Sequence, residues 1–335
     1  MKAMTVGSPA SLDTLSFAER ADPGDPGRGE IRVALHGSSL NYHDLGVATG
    51  RMPAEAGRIV LADAGGVVEA VGEGVAEFAV GDRVVSCFFP DWQDGAPTIG
   101  HFSRTPGDGI DGYATDFAVA PATAFTHAPR GYDAVEAATI TTAGLTAWRA
   151  LVGDGGLKAG DVVLLIGTGG VAIWGLQIAK AMGATVVVTS SSGEKLERAR
   201  DLGADHLVNY REVSDWGRAV HDWTGGLGVD HVLELGGPAT LANSIGAVRV
   251  GGHIALIGTV TGAAGDVPTA ALMGKQARLQ GLIVGSRRQQ QDFVRAIDVA
   301  RIRTVIDRRF PLAELADAFR FQQSAGHFGK IGIEW

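Results

Sequence analysis

Residues 167–172 read Gly-Thr-Gly-Gly-Val-Ala. Four apolar residues, Val163–Ile166, precede them, and an amphipathic stretch follows Gly170. A glycine turn between a strand and a helix suits the pyrophosphate of a dinucleotide. Gly167 permits the tight turn, Gly169 lets the backbone approach the phosphates, and Ala172 is small enough for helix to lie on strand. Thr168, Gly170 and Val171 complete the turn, where free N–H groups and the helix dipole favour an anion.

About twenty residues further on, sites that prefer NAD place an aspartate or glutamate to grip the ribose 2′-hydroxyl. This chain reads Thr189-Ser190-Ser191-Ser192 there. Serine hydroxyls do not repel a 2′-phosphate and can donate to it. Lys195 adds positive charge, and Tyr210 can reach the same pocket from the end of the next strand. The set favours NADP(H). Ser190 tolerates both ribose forms, so NAD(H) stays open as a second cofactor. The serines can also cap the helix that begins near Glu194, with Ser192 the natural cap.

A second polar group, Asn41-Tyr42-His43-Asp44, lies in the N-terminal third. Residues 88–112 form a long segment rich in Gly, Pro and aromatics, of the kind that serves as a lid over a site. Phe88, Phe89 and Trp92 stand at its start and suit the lining of an apolar or planar substrate pocket, or the anchoring of the loop to its own domain.

These groups need two frames to hold them. The chain has 335 residues, more than one compact core usually serves. Residues 1–120 contain short β-like runs such as Glu30–Leu35, Gly66–Val71 and Asp82–Ser86, broken by glycine and proline, which predict a β-barrel or sandwich. After about residue 130, strands alternate with helices: Val162–Ile166, Thr185–Thr189, His206–Val208, His231–Leu235 and His253–Ile257 are predicted strands. That alternation predicts a parallel sheet with helices on both faces. The net charge of −8 opposes a nucleic-acid-binding face. No apolar run reaches the length of a membrane span, and the N-terminus lacks the apolar core of a signal peptide, so a cytoplasmic enzyme is expected. Cys87 is the one cysteine, which leaves no intramolecular disulfide and no cysteine-rich zinc site.

The stretches LNYHDLGVATG (40–50), GGVVEAVGEGVAEFAVGDRV (65–84), DGYATDFAV (111–119), TAGLTAWRAL (142–151), LGADHLVNY (202–210) and HFGKIGI (327–333), together with the glycine turn, resemble the medium-chain dehydrogenase/reductase superfamily over essentially the whole chain. The resemblance implies an α/β fold. A GroES-like barrel would be built from 1–125 and completed by the tail 303–335. A doubly wound Rossmann domain would span 126–302, with the active-site cleft where the two meet. A homodimer is also implied. In zinc-dependent members, the positions of Asn41 and Ala62 carry a cysteine and a histidine ligand. Neither donor is present here, so no metal is expected. His43, Asp63 and Cys87 could hold one only in another geometry, and ordinary polar roles are expected for them.

The Asn-Tyr-x-Asp pattern resembles instead the zinc-free quinone oxidoreductase and enoyl reductase branches. The expected activity is hydride transfer from NADPH to a quinone or an α,β-unsaturated carbonyl. Asn41 and Tyr42 would donate hydrogen bonds to the acceptor, with packing near the nicotinamide as the other role open to Tyr42; His43 would relay a proton, and Asp44 would orient a neighbour or cap a helix. By the same resemblance, Thr142, Gly258, Thr259, Ile283 and Val284 approach the nicotinamide and Lys330 the cofactor, with Ile257–Thr259 and Leu282–Val284 following the fourth and fifth strands of the Rossmann sheet or their extension. Two alternatives stand beside this reading: an alcohol dehydrogenase or aldehyde reductase of the same superfamily, and a non-catalytic NADPH-binding sensor or structural protein.

Overall fold

A computed structural model describes residues 1–335. The chain forms two compact units, residues 1–145 with 284–335 and residues 146–283. No helix is long and apolar enough to cross a membrane.

The first unit opens with an antiparallel pair, β1 (Lys2–Thr5) and β2 (Ser16–Glu19). There follow β3 (Glu30–Ser39), α1 (Tyr42–Ala48), β4 (Gly65–Val71), β5 (Arg83–Ser86), β6 (Phe117–Pro121), β7 (Phe125–His127) and α2 (Ala134–Thr139). In β3, Ile31, Val33 and Leu35 alternate inward as the two-residue strand period requires, and pack with Val68, Val84, Tyr113 and Phe125. Helix α2 lies hard against this sheet. A Cβ at Gly65 would stand 2.1 Å from Ala134 O, so only glycine allows the approach. Past α2 the chain makes a π-helical turn, Ile140–Gly144, then α3 (Leu145–Trp148) and a second π-helical turn, Arg149–Gly153.

The second unit holds β8 (Val162–Ile166), α4 (Gly170–Ala181), β9 (Thr185–Ser190), α5 (Gly193–Asp201), β10 (His206–Asn209), α6 (Trp216–Trp223), β11 (Val229–Glu234), α7 (Pro238–Ala247), β12 (Val248–Leu256), α8 (Thr269–Gly274) and β13 (Arg278–Gly281). All six strands are parallel, in the order β10-β9-β8-β11-β12-β13. This is the doubly wound 3-2-1-4-5-6 order, and it reverses between β8 and β11. Val163, Leu164 and Leu165 are fully buried, as a continuous apolar run covered on both faces should be.

The chain returns to the first unit with α9 (Arg287–Ala300), β14 (Ile306–Pro311), α10 (Leu315–Gln323) and β15 (Lys330–Glu334). Strand β15 pairs with β14 and β3, and Phe310, Leu315, Phe319, Ile331 and Ile333 join Met4, Leu45 and Val60 in one apolar core.

The unit edges, 145/146 and 283/284, differ from the expected 125/126 and 302/303. Hydrogen bonding explains the second edge. At the start of α9, the Arg287 guanidinium donates to Phe125 O at 2.9 Å, and Gln290 Nε2 donates to Ser86 O and Thr126 Oγ1 at 3.0 and 2.9 Å. These bonds tie α9 to β5 and β7. Strand β13 is a correction to the sequence reading. Its sequence, Arg-Leu-Gln-Gly, carries no apolar run because it is an edge strand. Gly258 and Thr259 therefore follow the fifth strand of the sheet, and Ile283 and Val284 follow the sixth.

Candidate active site and cofactor cradle

In the second unit, β8 ends at Ile166 and the chain turns through Gly167 at φ +87, a conformation that favours glycine. Gly169 is the N-cap of α4, and no side chain caps that helix. Its first N–H groups are thus left for a ligand. A Cβ at Gly167 or at Gly169 would meet nothing within 4 Å. The room beside the turn is what the pyrophosphate of a dinucleotide requires, so these residues fit such a cofactor. Ala172 is fully buried. One turn on, a Cβ at Gly175 would lie 3.0 Å from Leu165 and Leu233, so a second small residue also lets α4 lie on the sheet.

At the end of β9, Ser190 is buried and its Oγ accepts from Ser192 N at 3.2 Å, which leaves its hydrogen to give elsewhere. Ser192 caps α5, its Oγ accepting from Lys195 N at 3.3 Å. Ser191 and Lys195 are half-buried, and Tyr210, whose N–H donates to Ser190 O, is exposed. The structure thus places Ser190, Ser191 and Tyr210 at the ends of two paired strands and Lys195 in the first turn of α5, with no carboxylate at the position after β9.

Gly258 sits where a Cβ would stand 2.1 Å from Leu235 O, so the ends of β11 and β12 close on each other there. Ile283 is exposed, and Val284 takes φ +47, a strained conformation for a β-branched residue. Sequence reasoning missed Glu234. This fully buried carboxylate accepts from Gly236 N, Gly237 N, Thr240 Oγ1 and Ser244 Oγ, and so fixes the loop after β11 at the sheet's switch point. An acid inside the apolar strand VLEL was its one visible signal.

In the first unit, Asn41 caps α1 and its side chain is buried in a closed network. Asn41 Nδ2 donates to Asp63 Oδ2 at 2.8 Å and to Asp44 Oδ2 at 3.1 Å, and its Oδ1 accepts from Lys330 Nζ at 2.6 Å. Lys330 also donates to Leu40 O at 2.6 Å and lies 3.7 Å from Asp63 Oδ2. Asp44 accepts from Asn41 N at 2.8 Å and from Ala62 N at 2.9 Å. Asp63 takes Ser39 Oγ and Thr142 Oγ1, each at 2.6 Å. Burial pushes Asp63 above the usual carboxylate range against the pull of the Lys330 ammonium, and burial pushes Lys330 below the usual ammonium range.

This network revises the expectations for two residues. Asn41 has its amide hydrogens and its carbonyl engaged inside the chain, so it positions its neighbours. Lys330, expected at the cofactor, directs its ammonium to Leu40, Asn41 and Asp63. His43 lies 3.6 Å from Asp44 and 3.4 Å from Asp108, at ion-pair distance but without hydrogen-bond geometry, and meets the Phe88 ring edge-on at 5.0 Å. Burial alone would lower its pKa; the two carboxylates outweigh that and raise it to about 9. Phe88, Phe89 and Trp92 are buried in an aromatic cluster with Phe102, so the loop is anchored by its own rings. Tyr42 differs from its neighbours. It is 53% exposed and its hydroxyl makes no hydrogen bond within the chain.

The positions that would hold zinc do not suit it. Asn41 is turned to Lys330, Ala62 offers a methyl group, and no group of three or more His, Cys, Asp or Glu side chains converges to hold a metal.

Comparison with known proteins agrees with the fold. The alcohol dehydrogenase GroES-like domain matches residues 27–130, and the zinc-binding dehydrogenase family matches residues 170–301. A zinc-type alcohol dehydrogenase-like protein of Schizosaccharomyces pombe is 38% identical, over 97% of this chain and 96% of its own length. A 2-haloacrylate reductase of a Burkholderia species is 29% identical over 93% of each chain. The crystal structure of an NAD-dependent alcohol dehydrogenase superposes with a TM-score of 0.89 at 31% identity, each chain fully covered. The chain is an oxidoreductase that uses a nicotinamide cofactor, and it belongs to the medium-chain dehydrogenase/reductase superfamily.

Proposed function

We propose that this protein is an NADP(H)-dependent, zinc-independent reductase that passes hydride to a quinone or an α,β-unsaturated carbonyl. The observation that supports this most is the closed network of Asn41, Asp63 and Lys330, which stands where zinc-dependent members bind their metal. A simple carbonyl needs strong polarisation before it accepts hydride. A conjugated acceptor spreads the charge over more atoms and needs only a hydrogen-bond donor. Tyr42 is that donor, because its hydroxyl is uncommitted within the chain and the residue is about half exposed. Asn41 and Asp44 hold the first turn of α1 and so aim Tyr42. The 2-haloacrylate reductase is named for a conjugated acid of this chemical kind.

The cofactor supplies the hydride when bound. Gly167–Val171 would receive its pyrophosphate at the start of α4, and Ser190, Ser191, Lys195 and Tyr210 would receive the 2′-phosphate. Thr142, Gly258, Thr259, Ile283 and Val284 would flank the nicotinamide.

The deciding experiment follows NADPH and NADH oxidation by metal-stripped protein against quinones, enones and simple aldehydes. We expect turnover with conjugated acceptors only, and NADPH preferred by roughly tenfold or more, the value of one charge-assisted contact. Turnover of simple aldehydes only after zinc is restored would overturn the reading and favour an alcohol dehydrogenase. Tight NADPH binding with no turnover would favour a sensor.

A further inference from the structure

Thr142 lies in the π-helical turn Ile140–Gly144 between the buried Thr141 and Ala143, and is itself only half-buried. A π turn inserts a residue into the helix and is frequent at functional sites. The Thr142 hydroxyl has one hydrogen, which it gives to Asp63 Oδ1 at 2.6 Å. The other carboxylate oxygen, Oδ2, takes Ser39 Oγ at 2.6 Å and Asn41 Nδ2 at 2.8 Å, with Lys330 Nζ at 3.7 Å. Two residues before Asp63, Leu61 is held at φ +73. Such a conformation is costly for a leucine and persists only where the surroundings dictate it. Donors and backbone together hold Oδ2 inside the network and leave Oδ1 to Thr142 alone.

A hydroxyl that has given up its hydrogen can only accept. We propose that Asp63 is a positioning residue that locks Thr142 as a hydrogen-bond acceptor toward a bound ligand, so that the ligand group Thr142 reads is an N–H donor: the amide of a nicotinamide's carboxamide. This inference rests on the nicotinamide-dependent reading above. The contact selects one orientation of the carboxamide and so helps to set the ring.

Replacing Asp63 by asparagine would reverse the lock without changing its shape. The asparagine oxygen would stay with Ser39, Asn41 and Lys330, which all donate. Its NH2 would face Thr142, which would then accept from it and turn its own hydrogen outward. Protonation of Asp63 acts the same way, because Oδ2 already faces donors and the proton must sit on Oδ1. The charged groups that face Asp63 are Lys330 and Asp44, the latter with His43 on its far side.

The test is equilibrium binding to wild type, Asp63→Asn and Thr142→Val. The ligands are NADPH, its acetylpyridine analogue (the amide replaced by a methyl ketone) and 2′-phospho-ADP-ribose, which has no nicotinamide. Wild type is expected to bind NADPH about tenfold more tightly than the analogue, the worth of one hydrogen bond to an otherwise unpaired acceptor. Both variants should bind NADPH and the analogue within about twofold of each other, while all three proteins bind the ring-less ligand alike. Should Asp63→Asn lose the ring-less ligand too, it has misfolded, and Thr142→Val, which removes one half-buried hydroxyl, decides. Equal binding of NADPH and its analogue by wild type would overturn the lock and leave the NADPH reading intact. Failure of wild type to bind either NADPH or the ring-less ligand would overturn both.

Discussion

The glycine cradle of the second unit and the polar network of the first are both dense in hydrogen-bonding groups, and they treat those groups in opposite ways. At Gly167–Val171 the chain leaves the N–H groups of α4 uncapped beside open space. Around Asp63 every oxygen and ammonium is matched by a partner from the chain: Ser39, Asn41, Thr142 and Lys330. A frame that awaits a charged ligand keeps rigid donors unpaired. A frame whose buried donors and acceptors are paired internally commits them to folding, and the buried charges then count toward stability.

Breaking the network should therefore show first in stability. Lys330→Met removes the ammonium but leaves Asp63 and Asn41 Oδ1 buried beside a methyl group. Uncompensated buried charge typically costs about 3–5 kcal/mol, and partial relief comes if Asp63 takes up a proton. The expected result in urea unfolding is a loss of about 3 kcal/mol at pH 7.5. The loss should shrink toward pH 5, because the variant's folded state binds a proton there that the unfolded chain does not. A loss of under about 1 kcal/mol would mean that Asp63 and Asn41 repack or take up a proton without the ammonium, and that the network does not depend on it.

Breaking the cradle should show in binding and leave stability alone. Gly169 has φ −79, which any residue adopts, and its Cβ would enter empty space. Gly169→Val is expected to keep its melting temperature within about 1–2 °C and to weaken NADPH about a hundredfold, or about 2.7 kcal/mol. A folded variant with unchanged affinity would separate this turn from the cofactor. Contrast Gly258, whose Cβ would strike Leu235 O; there the glycine serves packing.

What could be read from sequence divides along the same line. The strand, glycine turn and helix start at 162–181 were legible because their requirements are local: an apolar run, glycines at fixed spacing and an amphipathic stretch. The strands β8 to β12 were legible from apolar runs, while β13 was not, since an edge strand needs no such run. The four residues Asn41–Asp44 were visible as a polar group, but their roles were not. Those roles depend on Ser39, Asp63, Thr142 and Lys330, which are distant in sequence and meet only after β15 returns to β3. Burial of Phe89 and Trp92 likewise depended on Phe102 folding back over them, and that of Phe88 on Phe89 and His43. Asp63 had one sequence signal: it keeps an acid in a stretch whose neighbouring ligand position is Ala62.

The two units also hold histidines whose titrations run in opposite directions, and this gives the smallest and most selective test of the comparison. His253 of β12 is buried, its ring nitrogens have no partner, and burial together with Arg278 and His231 lowers its pKa to about 4. Between pH 6.5 and 4 the unfolded chain binds a proton that the folded chain refuses, so the second unit loses stability as pH falls through that window. His43 of α1 is raised to about 9 by Asp108 and Asp44 despite its burial. Its contribution is fully present below pH 6.5 and is lost as pH rises toward 9. Each effect should amount to about 1–3 kcal/mol. Amide exchange, read separately in α1 and in β11 and β12, is expected to weaken in the first unit at alkaline pH and in the second at acid pH. His43→Gln should flatten the alkaline limb only, and His253→Leu the acid limb only. An alkaline limb that survives His43→Gln would show that the loop carrying Asp108 is held by its buried aromatic rings and not by the imidazolium.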